Sequence, residues 1–300
     1  MEMKFRAHDT FFIRKGWISK GMKYVNQIPD VFISKTENPM DVLGIGANMV
    51  KALRYWLQAT GLTIEPLRGK RIQELTDFGR LVFNHDQYIE EIGSLYLIHY
   101  KLVSNATMAT SWFYFFNMFS LSDFTKEDFV TQISNFIKIH NEDANVAARS
   151  LEDDFNCIIN TYVPRYKTMP NRVSAENNID CPIGELGLLD IIKKERNNIV
   201  YKKVVPQAAT FNPWVILAVI HANANGKEEI GLNELLTAEN NIGRVFNLDS
   251  IAMLDILHNI ERIGELKIIR TAGLDVIHLA NRYSFEECVE HYYQDLEALE

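Results

Sequence analysis

Residues 38–83, NPMDVLGIGANMVKALRYWLQATGLTIEPLRGKRIQELTDFGRLVF, decide the architecture of this chain. Val50, Leu53 and Leu57 recur at three- and four-residue spacing and make one apolar stripe, so the segment is read as a helix docked on a core. Asn48 is expected to cap it, after a tight turn at Gly44 and Gly46. Lys51, Arg54 and Gln58 occupy a different face, where cations and amides can meet phosphates or base edges. Past Gly61, the apolar run Leu62–Ile64, the stretch Glu65–Arg71 with its three cations, and a second run from Ile72 read as strand, wing and strand. Thr76 then caps the next helix, with Asp77 favourably placed at its positive end. Helix, turn, helix and two-stranded wing make a winged helix-turn-helix, which commonly lays one helix against a duplex or a partner protein. Asn48, Lys51, Arg54, Gln58, Arg68, Lys70 and Arg71 are the expected DNA-binding residues.

Charge supports that placement. The chain has 300 residues and a net charge of −8, yet residues 1–84 hold 13 Lys or Arg against 8 Asp or Glu, and the remainder 18 against 31. The excess of cations coincides with the proposed wing, and acidic surface elsewhere would limit indiscriminate binding. A solvated surface of mixed charge is the plainer alternative.

With 47% hydrophobic and 23% charged residues the chain is long enough for two or three cores. Cys157, Cys181 and Cys288 are widely spaced without a CxxC or Cys/His pattern, which points to a reducing cytoplasm rather than a disulfide framework. No apolar run approaches the roughly 20 residues of a membrane span, and the first ten residues lack a signal-peptide core. A soluble, cytoplasmic protein with no membrane contact is expected.

The overall class is mainly α with a minor α+β component, in three modules. Residues 1–86 form the N-terminal winged helix, 87–212 a helical centre rich in aromatics from Tyr96 to Phe116, and 213–300 a second winged-helix-like module. That last module repeats the logic of the first: a helix ending at Gly226, a second over IGLNELL, a helix capped by Ser250, and two strands around Thr271–Gly273. Its outward residues, Asp255, His258, Asn259, Glu261 and Arg262, are less cationic, so protein contact or homodimerisation is its expected role.

Groups for phosphodiester chemistry are thinner on the ground. His8 and Asp9, followed by Arg14 and Trp17, make a compact set near the start, although helix capping is the duller account. Asp86 and Glu90, four residues apart, would project together from a helix. Asp154 would share a helical face with Ser150. These five, His8, Asp9, Asp86, Glu90 and Asp154, are the catalytic candidates, and acid pairs of this kind are usually solvated surface. Glu265-Leu266-Lys267 matches part of a nuclease core but falls on an expected strand, and the HxK at His99 has Ala106 where its acid belongs. No GxxxxGK[ST] or GxGxxG phosphate loop is present, so no bound nucleotide is expected.

The strings FRAHDTFFIRKGWISKG, LGIGANMVKALRYWLQATGL, LTDFGRLVFNHDQYIEE, SLYLIHYKL, DCPIGELGLL and NIGRVFNLD together resemble the bacterial, SspB-like domain-of-unknown-function family four thousand and seven, over nearly the whole chain. The resemblance implies the nicking component of a DNA phosphorothioation system engaged in phage defence. Its implied partners are double-stranded DNA, a cysteine desulfurase, an ATPase and an adenylating sulfotransfer enzyme. Cleavage of this kind generally uses magnesium or manganese held by carboxylates, or a His or Tyr nucleophile beside a cation. A noncatalytic DNA-binding adaptor and a transcriptional regulator are the alternatives.

Overall fold

The computed structural model describes residues 2–66, 69–164, 167, 180–194, 199–271 and 274–298. It is multi-helical with small antiparallel sheets and divides into two compact units, residues 1–115 with 119–203, and residues 116–118 with 204–300. No helix among the described residues is long and apolar enough to cross a membrane.

Unit 1 opens with a strap that leads into α1 (Trp17–Gln27), followed by α2 (Pro39–Leu43) and α3 (Ala47–Ala59). Asn38 caps α2 by accepting from the Met40 N–H, and Gly44 ends it in the left-handed conformation that glycine adopts without steric cost. The cap of α3 is Gly46, in extended backbone with no side-chain bond, so Asn48 lies inside the first turn instead of capping it. Having no side chain, Gly46 carries no sequence signal of that role. Val50, Leu53 and Leu57 are buried as the spacing predicts, joined by Ala52, Tyr55, Trp56 and Ala59. Trp56 is wholly buried and donates Nε1–H to the Phe11 carbonyl at 2.8 Å, which ties the strap to α3.

The two strands after α3 are short. β1 (Thr63–Ile64) pairs antiparallel with β2 (Glu74–Leu75), and Thr76 caps α4 (Asp77–His85) through the Gly79 N–H. Then come α5 (Ile92–Val103), α6 (Thr110–Asn117), β3 (Asp123–Phe124), α7 (Lys126–His140) and α8 (Ala148–Tyr162). A Thr125/Asp128 capping box starts α7, whereas α8 starts at Ala148 with no side-chain cap. The aromatics of this region are core: Trp112, Tyr96, Phe115, Phe129 and Tyr162 are each at most 1% exposed.

The centre is less purely helical than expected. β4 (Leu189–Lys194) and β5 (Ile199–Lys203) join β3 in a sheet of order β3-β5-β4, after a 3-10 helix at Pro182–Leu186. The β-branched pairs Ile191-Ile192 and Ile199-Val200 fit a half-buried pleated surface better than a helix. Most of the stretch between Pro164 and Pro182 lies outside the described residues.

Unit 2 contains α9 (Pro213–Asn223), β6 (Glu229–Gly231), α10 (Leu232–Thr237), α11 (Ile242–Val245), α12 (Ser250–Arg262), β7 (Leu266–Thr271), β8 (Leu274–Leu279) and α13 (Phe285–Glu297). Its sheet has order β6-β8-β7, with β8 in the middle. Asp249, one residue before Ser250, caps α12 by accepting the Ala252 N–H. Val289, Tyr292 and Tyr293 bury the inner face of α13 against α9, and Trp214 stacks on His291 with ring centres 4.3 Å apart.

Candidate nucleic-acid interface

The polar face of α3 separates into two sets. Asn48 and Lys51 are exposed, as are Lys70 and Arg71 on the loop between β1 and β2. Arg54 and Gln58, on the same helix, turn to Glu65. Arg54 Nε lies 2.6 Å from Glu65 Oε1, Gln58 Nε2 donates to that oxygen at 3.1 Å, and the buried Gln73 donates to it at 3.3 Å and to the Arg54 carbonyl at 2.9 Å. Arg54 Nη2 also donates to the Arg71 carbonyl at 3.3 Å. These bonds hold the hairpin at a fixed angle to α3, so Arg54 and Gln58 position the exposed cations. Arg68 lies outside the described residues.

Because the Arg54 and Glu65 side chains are only 24% and 15% exposed, Glu65→Ala removes the carboxylate that Arg54 and Gln73 share and leaves them with backbone carbonyl acceptors alone. A loss of about 1–3 kcal/mol is expected. Thermal unfolding checks this, and an unchanged midpoint would show that the network carries no load.

Two of the catalytic candidates, 146 residues apart in sequence, meet in the core. His8 Nε2 lies 2.7 Å from Asp154 Oδ1, and both side chains are almost wholly buried. Asp154 also accepts from the Arg6 N–H at 2.8 Å and from Ser111 Oγ at 2.6 Å. The Thr10 N–H donates to His8 Nδ1 at 3.0 Å, which places the ring proton on Nε2, facing the carboxylate. The ring stacks on Trp56 and meets Trp112 edge-on. Arg6, Asp9 and Thr10 all have positive φ, so the strap is bent around this pair at a cost of about 1–3 kcal/mol per residue. Every polar side-chain atom of the pair is engaged. The arrangement is that of a latch. Asp9 itself is exposed, and Asp153 pairs with Arg6 at 2.8 Å.

Asp86 and Glu90 do not share a helix. Asp86 is the C-cap residue of α4, and its buried carboxylate accepts from the N–H groups of Glu90 and Glu91 at 2.8 and 3.1 Å. This staples the turn before α5. Ile89 has φ 57° and a buried side chain, an unusual conformation for a β-branched residue. Between these anchors Tyr88 stands 70% exposed at a cavity of about 200 Å³, which Arg14, Lys15, Ser19, Glu90 and Glu185 also line. Sequence reading passed over this grouping because its members come from three distant segments and Tyr88 sits among many core aromatics.

The thiols are not poised for chemistry. Burial, reinforced by the Asp154 charge, pushes Cys157 well above the ordinary thiol value, and burial pushes Cys181 up to about 12. Both stay protonated at neutral pH.

A family model described as "Protein of unknown function (DUF4007)" matches residues 5–293. No curated protein sequence matches the chain. Among solved structures, a magnesium ion-bound SspB crystal structure aligns with TM-score 0.82 at 25% identity, covering 98% of this chain and 87% of that chain. A second SspB crystal structure aligns with TM-score 0.79 at 23% identity, covering 98% and 95%. No group of three or more His, Cys, Asp or Glu suited to a metal ion occurs among the described residues. Asp154, fully engaged by three donors, does not fit a divalent cation.

Proposed function

The chain belongs to the DUF4007 family, and from that premise we propose that it is the duplex-binding component of a bacterial DNA phosphorothioation system, nicking the strand that is to receive sulfur. The observation that carries this reading is the likeness to SspB over 98% of the chain. In it, α2, α3 and the β1–β2 hairpin act as a winged helix-turn-helix, with Asn48, Lys51, Lys70 and Arg71 facing the phosphates. The β6-β8-β7 sheet with α10 to α12 is a second winged module, given to protein contact with the desulfurase, ATPase or sulfotransfer partners or to a second copy. The site of action is the bacterial cytoplasm, in phage defence.

Duplex binding is tested with a Lys51→Ala/Lys70→Ala/Arg71→Ala variant. Each lost phosphate contact removes about 0.9 from the slope of log affinity against log salt, so the slope should fall by about 2–3. Folding should be unchanged, since all three are exposed. An unaltered slope would place the duplex on another face. Arg54→Ala, by contrast, should lower both affinity and stability.

Nicking is tested with supercoiled plasmid in magnesium, manganese and chelator lanes. Open circle that depends on metal supports the nickase. Duplex binding with no open circle in any lane establishes the second reading, a noncatalytic adaptor, which the sealed state of His8 and Asp154 favours. Defined operator recognition without nicking would instead mark a transcriptional regulator.

A further inference from the structure

The cavity beside Tyr88 brings together what strand cleavage requires, and we propose that it is the nicking centre, with the Tyr88 phenol oxygen as nucleophile. This rests on the nickase reading above. The substrate class is a DNA phosphodiester.

Tyr55, Tyr96, Tyr100, Tyr114, Tyr162 and Tyr201 of unit 1 are buried in the core, whereas Tyr88 is exposed. Tyr88 alone among the residues lining the cavity offers a phenol, and its turn is built to present it. Asp86 staples the following amides from inside, Ile89 is anchored in the core in a left-handed conformation, and the ring between them faces outward. Strain and buried anchoring around one exposed aromatic indicate a positioned group.

The same cavity also carries positive charge. Arg14 and Lys15 line the cavity, and the Arg14 guanidinium is oriented by the rings of Phe11 and Trp17, at 5.7 and 5.3 Å from their centres. The Lys15 N–H donates to the Asp180 carbonyl at 3.2 Å, which sets this segment against the one that carries Glu185. Cations beside a phosphate stabilise the charge that grows on its oxygens during displacement. Glu90 and Glu185 line the same cavity and complete the set as proton acceptors.

The step balances with these groups. Tyr88 Oη attacks phosphorus, and its proton passes to Glu90 or Glu185. The phosphorus–oxygen bond to one deoxyribose breaks, and the same carboxyl returns the proton to the departing sugar oxygen. The products are a free sugar hydroxyl and a strand end held on Tyr88 through a phosphotyrosyl bond. No oxidant, reductant or nucleotide is consumed.

The test uses the full chain and supercoiled plasmid uniformly labelled with ³²P, with magnesium and with manganese. Reactions are quenched in detergent, digested with nuclease, and scored for open circle and for label on the protein. The wild type should nick and carry label on the peptide containing Tyr88. Tyr88→Phe should lose the label and slow nicking on the order of 100-fold or more, with duplex affinity and thermal midpoint unchanged because the side chain is exposed. Wild-type nicking without label transfer, or a Tyr88→Phe rate equal to wild type, would overturn the tyrosine while leaving the nickase intact. A wild type that binds duplex but never nicks would overturn the nickase reading and this assignment with it.

Discussion

Asp154→Ala is expected to unfold unit 1 more readily than any change to a surface charge, by about 3–5 kcal/mol, the range seen when one partner of a buried polar pair is removed. Three donors converge on this carboxylate: the Arg6 N–H, His8 Nε2 and Ser111 Oγ. The His8 and Ser111 donors would be left buried, where an unsatisfied polar group costs about 1–3 kcal/mol, while the Arg6 N–H is only part-buried. The consequence spreads because His8 is the anchor of the strap. Without its acceptor the ring loses its reason to sit against Trp56 and Trp112, and the positive-φ residues Arg6, Asp9 and Thr10 are free to relax. Asp154→Asn retains one carbonyl acceptor but turns an amide N–H toward a donor, so it should fall between wild type and alanine. Denaturant titration followed by tryptophan emission reads the change directly, since both indoles border His8. The midpoint of thermal unfolding should drop on the order of 10 °C. A loss below about 1 kcal/mol would mean the buried carboxylate is not what holds the strap.

How much of this was legible beforehand depends on the range of the interaction. The apolar stripe of α3, the Thr76 cap and the exposed cations Lys51, Lys70 and Arg71 follow from spacing within a few residues, and the structure has them as read. The start of α3 was misplaced because its cap, Gly46, has no side chain to announce it. Arg54 and Gln58 were assigned to the right face of the helix, but periodicity gives a face and not a partner. Glu65, eleven residues beyond Arg54, claims both side chains. The His8–Asp154 pair could not be foreseen as a pair, since nothing local to either residue names the other. The grouping around Tyr88 was hidden for the same reason, with Arg14, Tyr88 and Glu185 drawn from three segments. The β4–β5 hairpin escaped because its isoleucines and lysines lack clean alternation, and its register shifts between Ile191 and Lys193.

Gly79→Ala should be the second severe change, and its sign runs against helix propensity. Gly79 lies in the first turn of α4, where alanine would ordinarily add about 1 kcal/mol of stability. Here a Cβ would be driven into the backbone carbonyl of Leu62. The helix cannot slide away, because Thr76 fixes it twice: its Oγ1 accepts from the Gly79 N–H at 2.9 Å and donates to the Gly61 carbonyl at 2.7 Å. The Thr76 N–H adds a third tie, to the Leu62 carbonyl at 3.1 Å. Relief must therefore come from the backbone at Gly61 and Leu62, where α3 gives way to β1, at a net cost of about 1–3 kcal/mol or more. That junction sets the angle of the hairpin to α3, so under the proposed duplex-binding role affinity should fall along with stability. Two other glycines calibrate the result. Gly21→Ala meets the flexible end of the Leu57 side chain, which can move, and should cost less. Gly46→Ala meets nothing within 4 Å and has ordinary extended backbone, so its cost should be only the poorer N-cap preference of alanine, about 1 kcal/mol or less. Thermal midpoints that ranked Gly79→Ala below Gly21→Ala in severity would show that α4 is not held against Leu62 as closely as described.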